Sequence, residues 1–283
     1  ESRYTGVGST FHTSAAAAAD FVQERFPDFP FWPQLPARGE NMLDQALADP
    51  TETSIPGFFE LEKRLRAAPP GSGWVKGQVA GPETLRKAGR GAFHDLAERV
   101  AENAVWQARR ILALGRLPVI SLDEPAWTEN LGPAGHLAAA RMLARVRAAG
   151  ATVGVHSCGK SPWLDVLSLR PDFVNPDLSA GAKPFVDEFA PGLRGLLAAG
   201  GWIGWGLVPT TRPVPLGQSR AILKEFLAAI EPLGDRKSVL ARSFITPACG
   251  LGTLAPEQAE DVLRALYEVS RFLRCDHLGL PPH

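Results

Sequence analysis

The stretch VGVHSCGKSP, residues 153–162, sets a histidine and a cysteine two positions apart at the end of an apolar run. Along an extended strand, side chains two apart face the same side, so His156 and Cys158 can aim into one cavity. An imidazole and a thiolate so placed suit a tetrahedral zinc ion. They equally suit a strand end that carries a buried thiol and a hydrogen-bonded histidine. A third donor stands in FITPACGLGT, where Cys249 follows another apolar run. The separation 249 − 158 = 91 residues is far beyond any compact zinc-finger spacing, so only the fold can bring the two cysteines together. Both precede a glycine at a predicted strand end. Cys275, in RFLRCDH, has no such partner and reads as a structural thiol.

Positioning these groups requires elements whose ends converge. Short β-prone runs alternate with longer Ala-, Leu-, Arg- and Glu-rich segments, the pattern of repeated βα units around a parallel sheet. Eight runs are predicted as strands: Tyr4–Ser9, Pro30–Gln34, Trp74–Val79, Pro118–Asp123, Thr152–His156, Phe173–Asn175, Trp202–Val208 and Ser243–Thr246. Predicted helices cover Ser14–Arg25, Glu83–Leu114, Ala134–Ala149, Pro184–Ala198, Ser219–Ile230 and Pro256–Leu273. Ile222, Phe226, Ala229 and Ile230 recur at helical spacing, as do Val262, Leu263, Leu266 and Val269, so these stripes should face a barrel. Ala15–Ala19 reads as a helix interior behind the cap candidates Thr13 and Ser14. The segment QLPARGENMLDQ with ADPTETSIPG lacks periodicity and is rich in turn formers, so it reads as a long functional loop. The expected fold is a single (β/α)8 TIM barrel forming one domain over residues 1–283, with active groups at the C-terminal strand ends.

Composition narrows the chemistry. Thirty basic residues balance thirty acidic ones in a chain of 283, and no like-charge block is present, which argues against nucleic acid as a partner. No apolar run reaches the roughly 18 residues of a membrane span, and the N-terminus lacks the pattern of a signal peptide. Three cysteines do not make a disulfide framework in a chain of this size. These features lead to the expectation of a cytoplasmic protein.

Four motifs in order, TGVGSTFHT, LDEPAW, VHSCG and TPACGLGT, resemble the catalytic barrel of cobalamin-independent methionine synthase, and the wider group that includes uroporphyrinogen decarboxylase is similar in fold. The likeness runs from about residue 5 to residue 273. It implies a zinc site of His156, Cys158 and Cys249, with Asp177 in PDFVNPDLSAG as the fourth ligand. It also implies that Gly8 and Ser9 anchor a substrate carboxylate while Asp123 holds an ammonium group, as for homocysteine. Glu124 is left with two roles, support for a neighbouring site residue or pairing with an arginine.

The expectation from this resemblance is a zinc-dependent methyltransferase in which the zinc-bound homocysteine thiolate attacks a methyl group to form methionine. Two departures bear on the donor: Lys87 and Ala88 stand where a folate-stacking tryptophan would be, and Thr211 stands in place of a catalytic histidine. The expectation is also of a barrel that works without the N-terminal barrel of the folate enzymes. A methylated corrinoid, as methylcobalamin or on a corrinoid protein, is therefore the expected donor, because its cobalt leaves without protonation whereas folate needs a general acid. The alternatives are a folate-dependent or other-thiol methyltransferase, a porphyrinogen-type decarboxylase, for which only Arg38 in PARGEN is at hand, and a non-catalytic zinc- or thiol-binding protein.

Overall fold

The computed structural model describes residues 3–68 and 73–281. Seven parallel strands form one curled sheet in the order β1-β7-β6-β5-β4-β3-β2. They are β1 (Arg3–Tyr4), β2 (Trp74–Ala80), β3 (Leu117–Asp123), β4 (Thr152–Ser157), β5 (Phe173–Pro176), β6 (Trp202–Val208) and β7 (Ser243–Pro247). The predicted strand Pro30–Gln34 survives only as bridges, Phe31 to Lys76 on β2 and Ser9 to Gln34. Its sequence explains the thinning. Trp32 and Gln34 donate their N–H groups to the Lys76 and Gly8 carbonyls, but Pro33 between them has no N–H to give. These bridges occupy the eighth position and close a (β/α)8 barrel. The predicted first strand, Tyr4–Ser9, likewise keeps only Arg3–Tyr4 as regular strand, although Thr5 still donates to the Ile245 carbonyl.

The helices follow their apolar stripes. In Pro256–Phe272 the buried set includes Val262, Leu263, Leu266 and Val269, and in Gln218–Ala229 Phe226 and Ala229 are buried. Ser14 caps Ala15–Arg25 by accepting the Ala17 N–H. The predicted helix Glu83–Leu114 is in fact two, Pro82–Lys87 and Phe93–Leu112. Between them Gly89 and Gly91 take φ of 72° and 146°, which a right-handed helix does not allow. The segment expected as a long loop holds a short 3-10 turn at Pro36–Arg38 and the helices Met42–Leu47 and Pro56–Ala67.

Because every strand is parallel, all C-terminal ends emerge at one mouth. Along the β3, β4 and β5 ends the register aligns Asp123 with His156 and His156 with Asn175. Among the described residues, no helix is long and apolar enough to cross a membrane.

Candidate functional site

At the mouth lies a cavity of about 460 Å³ whose walls include Gly8, Ser9, Asp123, His156, Cys158 and Cys249. Chain segments far apart in sequence thus meet around one space. Two glycines make the approach of the cysteine loops possible. A Cβ on Gly250 would stand 2.0 Å from Ser9 Oγ, and one on Gly159 would stand 2.6 Å from the Pro125 carbonyl oxygen. The cysteine-glycine pairs noticed in the sequence are therefore places where a loop closes on its neighbour without room for a side chain. Ser9 itself ties the β1 loop to the β7 loop: its carbonyl accepts the Leu251 N–H and its Oγ accepts the Gly252 N–H at 3.1 Å.

His156 is 3% exposed. Its Nδ1 lies 2.8 Å from the Asn175 carbonyl oxygen, which can only accept, so Nδ1 carries a proton. The other ring nitrogen, Nε2, is left for Cys249. The neighbouring Cys158 thiol and His156 favour the thiolate of Cys249, as does the Gly250 N–H more weakly, and they hold its thiol well below the ordinary range against the opposing effect of burial. Cys158 moves the opposite way. Its proton is kept in place by the bond to Cys249, with burial and the nearby negative charge of Cys249 and Asp177 adding to the rise. The two half-buried sulfurs thus titrate as a coupled pair, Cys249 losing its proton more readily than Cys158.

Asp123 is 5% exposed and accepts the Ser121 hydroxyl at 2.7 Å. Burial raises its carboxyl above the usual range, and the neighbouring Lys76 and His156 oppose that rise. Lys76 sits under the mouth and donates to the Val7 carbonyl; burial lowers its amine to about 8. Glu124 has neither of the roles left open by the sequence. Its carboxylate accepts the Glu83 and Thr84 N–H groups at 3.0 and 2.7 Å and the Thr84 hydroxyl at 2.6 Å, so it caps the helix Pro82–Lys87. Burial pushes it up to about 7.

Asp177 does not line the cavity. Its Oδ1 accepts the Ser179 N–H at 2.8 Å, an Asx turn after β5. Among the described residues, no group of three or more His, Cys, Asp and Glu side chains stands arranged to hold a metal ion.

The sequence reading missed Glu40. Its Oε2 accepts the Leu35 N–H and the Gln45 amide at 2.9 and 2.8 Å, while Oε1 is buried on the cavity wall without a partner. Glu40 stands in PARGEN close to Arg38, which is exposed and does not line this cavity. Among the described lining residues there is no lysine or arginine.

No protein-family model matches the chain. Solved structures do match it in fold. One is L-ribulose 3-epimerase, 12% identical over 100% of this chain and 99% of that one, with TM-score 0.53. A second is 3-keto-D-glucoside 4-epimerase from E. coli, 10% identical, covering 95% and 99% of the two chains with TM-score 0.51. A third is the GH113 β-mannanase of Alicyclobacillus acidocaldarius, 13% identical, covering 95% and 97% with TM-score 0.50. At these identities the likeness establishes the barrel fold.

These neighbours are sugar-epimerase and mannanase barrels, not barrels of the methionine synthase and uroporphyrinogen decarboxylase type, and this overturns the resemblance drawn from the four motifs. The expected zinc- and corrinoid-dependent homocysteine methyltransferase, an enzyme of methionine biosynthesis, falls with it, and the neighbours give no support to the folate, other-thiol, decarboxylase and non-catalytic binding alternatives. The physical reason is visible in the motifs themselves. Gly159, Gly250, Ser9 and Glu124 do structural work at strand-to-helix turns, which any barrel with tightly meeting loops can require. A decarboxylase of polycarboxylates also needs several cations on its walls, and the described lining offers no lysine or arginine.

Proposed function

We propose that the chain is an enzyme acting on a small molecule at the C-terminal mouth of the barrel, with the Cys249 thiolate as the reacting group. The observation that carries this reading is the meeting of Cys158, His156 and Cys249 on the wall of one open cavity, where the first two hold the Cys249 thiol low. A thiolate so held is a nucleophile for covalent catalysis, and Cys158 keeps a proton within reach to return to a leaving group. The buried, unpartnered Oε1 of Glu40, together with Asp123 and a described lining without lysine or arginine, supports a substrate whose polar end is cationic or rich in N–H donors.

A second reading is favoured by one observation. With Nδ1–H committed to Asn175, the Nε2 lone pair of a neutral His156 would face two sulfurs, and a soft divalent cation such as zinc can replace the shared protons among these three donors. Closing that set requires the Cys158 thiol to leave its hydrogen bond to Cys249. Elemental analysis of the isolated protein separates the readings: stoichiometric zinc favours the second, and its lack favours the first.

Ligand chemistry is testable without a known reaction. In thermal unfolding with small amino acids, amino thiols and uncharged polyols, amine-bearing compounds should stabilise the protein, by about 2.7 kcal/mol at a hundred times Kd. Glu40→Gln should weaken them by roughly tenfold or more while leaving deaminated analogues unchanged, as expected for loss of a charge-assisted bond. Stabilisation by polyols alone, or equal losses for both compound classes, would overturn the cationic-substrate reading.

A further inference from the structure

The two cavity cysteines reach their meeting point from opposite parts of the sheet. Cys158 directly follows β4 and Cys249 lies two residues past β7, with β5 and β6 between those strands. Both nevertheless line one cavity. Both are half-buried, each sulfur lies close enough to the other to move its thiol, and the cavity has room for a small molecule to reach them. Among the described cysteines, Cys275 lies apart from this cavity, on the turn Leu273–Leu278 at the end of the last helix.

We propose that Cys158 and Cys249 form a reversible redox pair, which a small-molecule disulfide converts into an intramolecular disulfide strapped across the cavity. The inference rests on the reading of Cys249 as the reacting group. In the first step the Cys249 sulfur attacks one sulfur of the small disulfide, a new S–S bond forms, and one thiolate leaves. In the second step the Cys158 sulfur gives up its proton and attacks the Cys249 sulfur. The mixed disulfide breaks, and the second small thiolate departs with that proton. Two electrons pass from the protein dithiol to the small disulfide, which becomes two thiols. The strap removes both sulfurs from chemistry in the cavity, and an excess of reduced thiol restores them.

The experiment treats the protein as isolated with excess oxidised glutathione, caps remaining thiols with iodoacetamide, and maps peptides by mass spectrometry without reduction. The expected result is a fall from the three thiols of the sequence to one, at Cys275, with a cross-linked peptide joining Cys158 and Cys249. Dithiothreitol should return all three. Cys158→Ser should instead accumulate glutathione on Cys249, because the second step is lost, and this variant keeps the test open if the cross-linked peptide is hard to detect. Stable glutathione on Cys249 in the unaltered protein, or free Cys158 and Cys249 after treatment, would overturn the inference. If Cys249 alkylates readily yet no disulfide forms, the inference alone fails; if Cys249 is inert to both reagents, the reading of it as the reacting group fails as well.

Discussion

Alkylation of Cys249 by iodoacetamide is expected to run at nearly the same rate from about pH 8 down to about pH 6. An ordinary thiol, with a pKa of about 8.5, loses roughly eighty-fold in thiolate over that interval. The hydrogen bonds from Cys158 and His156 keep Cys249 ionised below it, so its thiolate population hardly changes. The absolute rate is less informative. Thiolates of low pKa are weaker nucleophiles, with a Brønsted slope of about 0.4–0.5, and this offsets much of the gain in population. The profile therefore decides, and variants sharpen it. Removing either donor, by Cys158→Ala or His156→Ala, takes away a bond to a charged group worth about 1.5–3 kcal/mol, or roughly one to two pKa units. Each variant should shift the fall in rate toward higher pH by that much. A tenfold decline per pH unit in the unaltered protein would sink the assignment of Cys249 as a stabilised thiolate.

Gly154→Ala is expected to cost roughly 3 kcal/mol or more and to lower the unfolding midpoint by roughly 6–12 °C. Gly154 pairs with Phe173 between β4 and β5, and a Cβ there would stand 2.2 Å from the Phe173 carbonyl oxygen and 2.4 Å from its ring. Phe173 cannot yield easily, since it is 1% exposed and packs edge-on against Phe244 at 5.6 Å between ring centres. The strand must then move, and with it His156 two residues along. The same variant should accordingly blur the pH profile of Cys249. Gly132→Ala serves as the control, because a Cβ at Gly132 meets nothing within 4 Å. Calorimetry showing equal midpoints for the two variants would contradict this account of how β4 is seated.

The barrel was legible because its signals are local and repeated. β-prone runs such as Trp202–Val208 are framed by helical segments, and the structure keeps that run at the same bounds. What failed to read correctly lay where one residue overrides a pattern: Pro33 thins a strand to bridges, and Gly89 and Gly91 cut a helix that continuous periodicity had carried through. At the mouth, His156 and Cys158 could be paired from their two-residue spacing on a strand, and the glycine after each cysteine marked where loops close. Glu40 could not be found in this way. Its significance comes from one carboxylate oxygen being satisfied and the other left buried without a partner, which depends on Leu35 and Gln45 being folded against it. The motifs that suggested a methyl-transfer family were turn sequences, and turn sequences report the geometry of strand ends more directly than the reaction performed there.

The central claim is that Cys249 carries a thiolate at neutral pH. The most direct measurement is the ultraviolet absorbance of thiolate, followed as the folded protein is titrated from alkaline to mildly acidic pH alongside Cys249→Ser. The account predicts that near neutral pH the unaltered protein absorbs more than the variant by about one thiolate per chain, and that this difference persists well below the ordinary thiol range near 8.5. No difference at neutral pH, or one that disappears as pH falls through the ordinary thiol range, would contradict it.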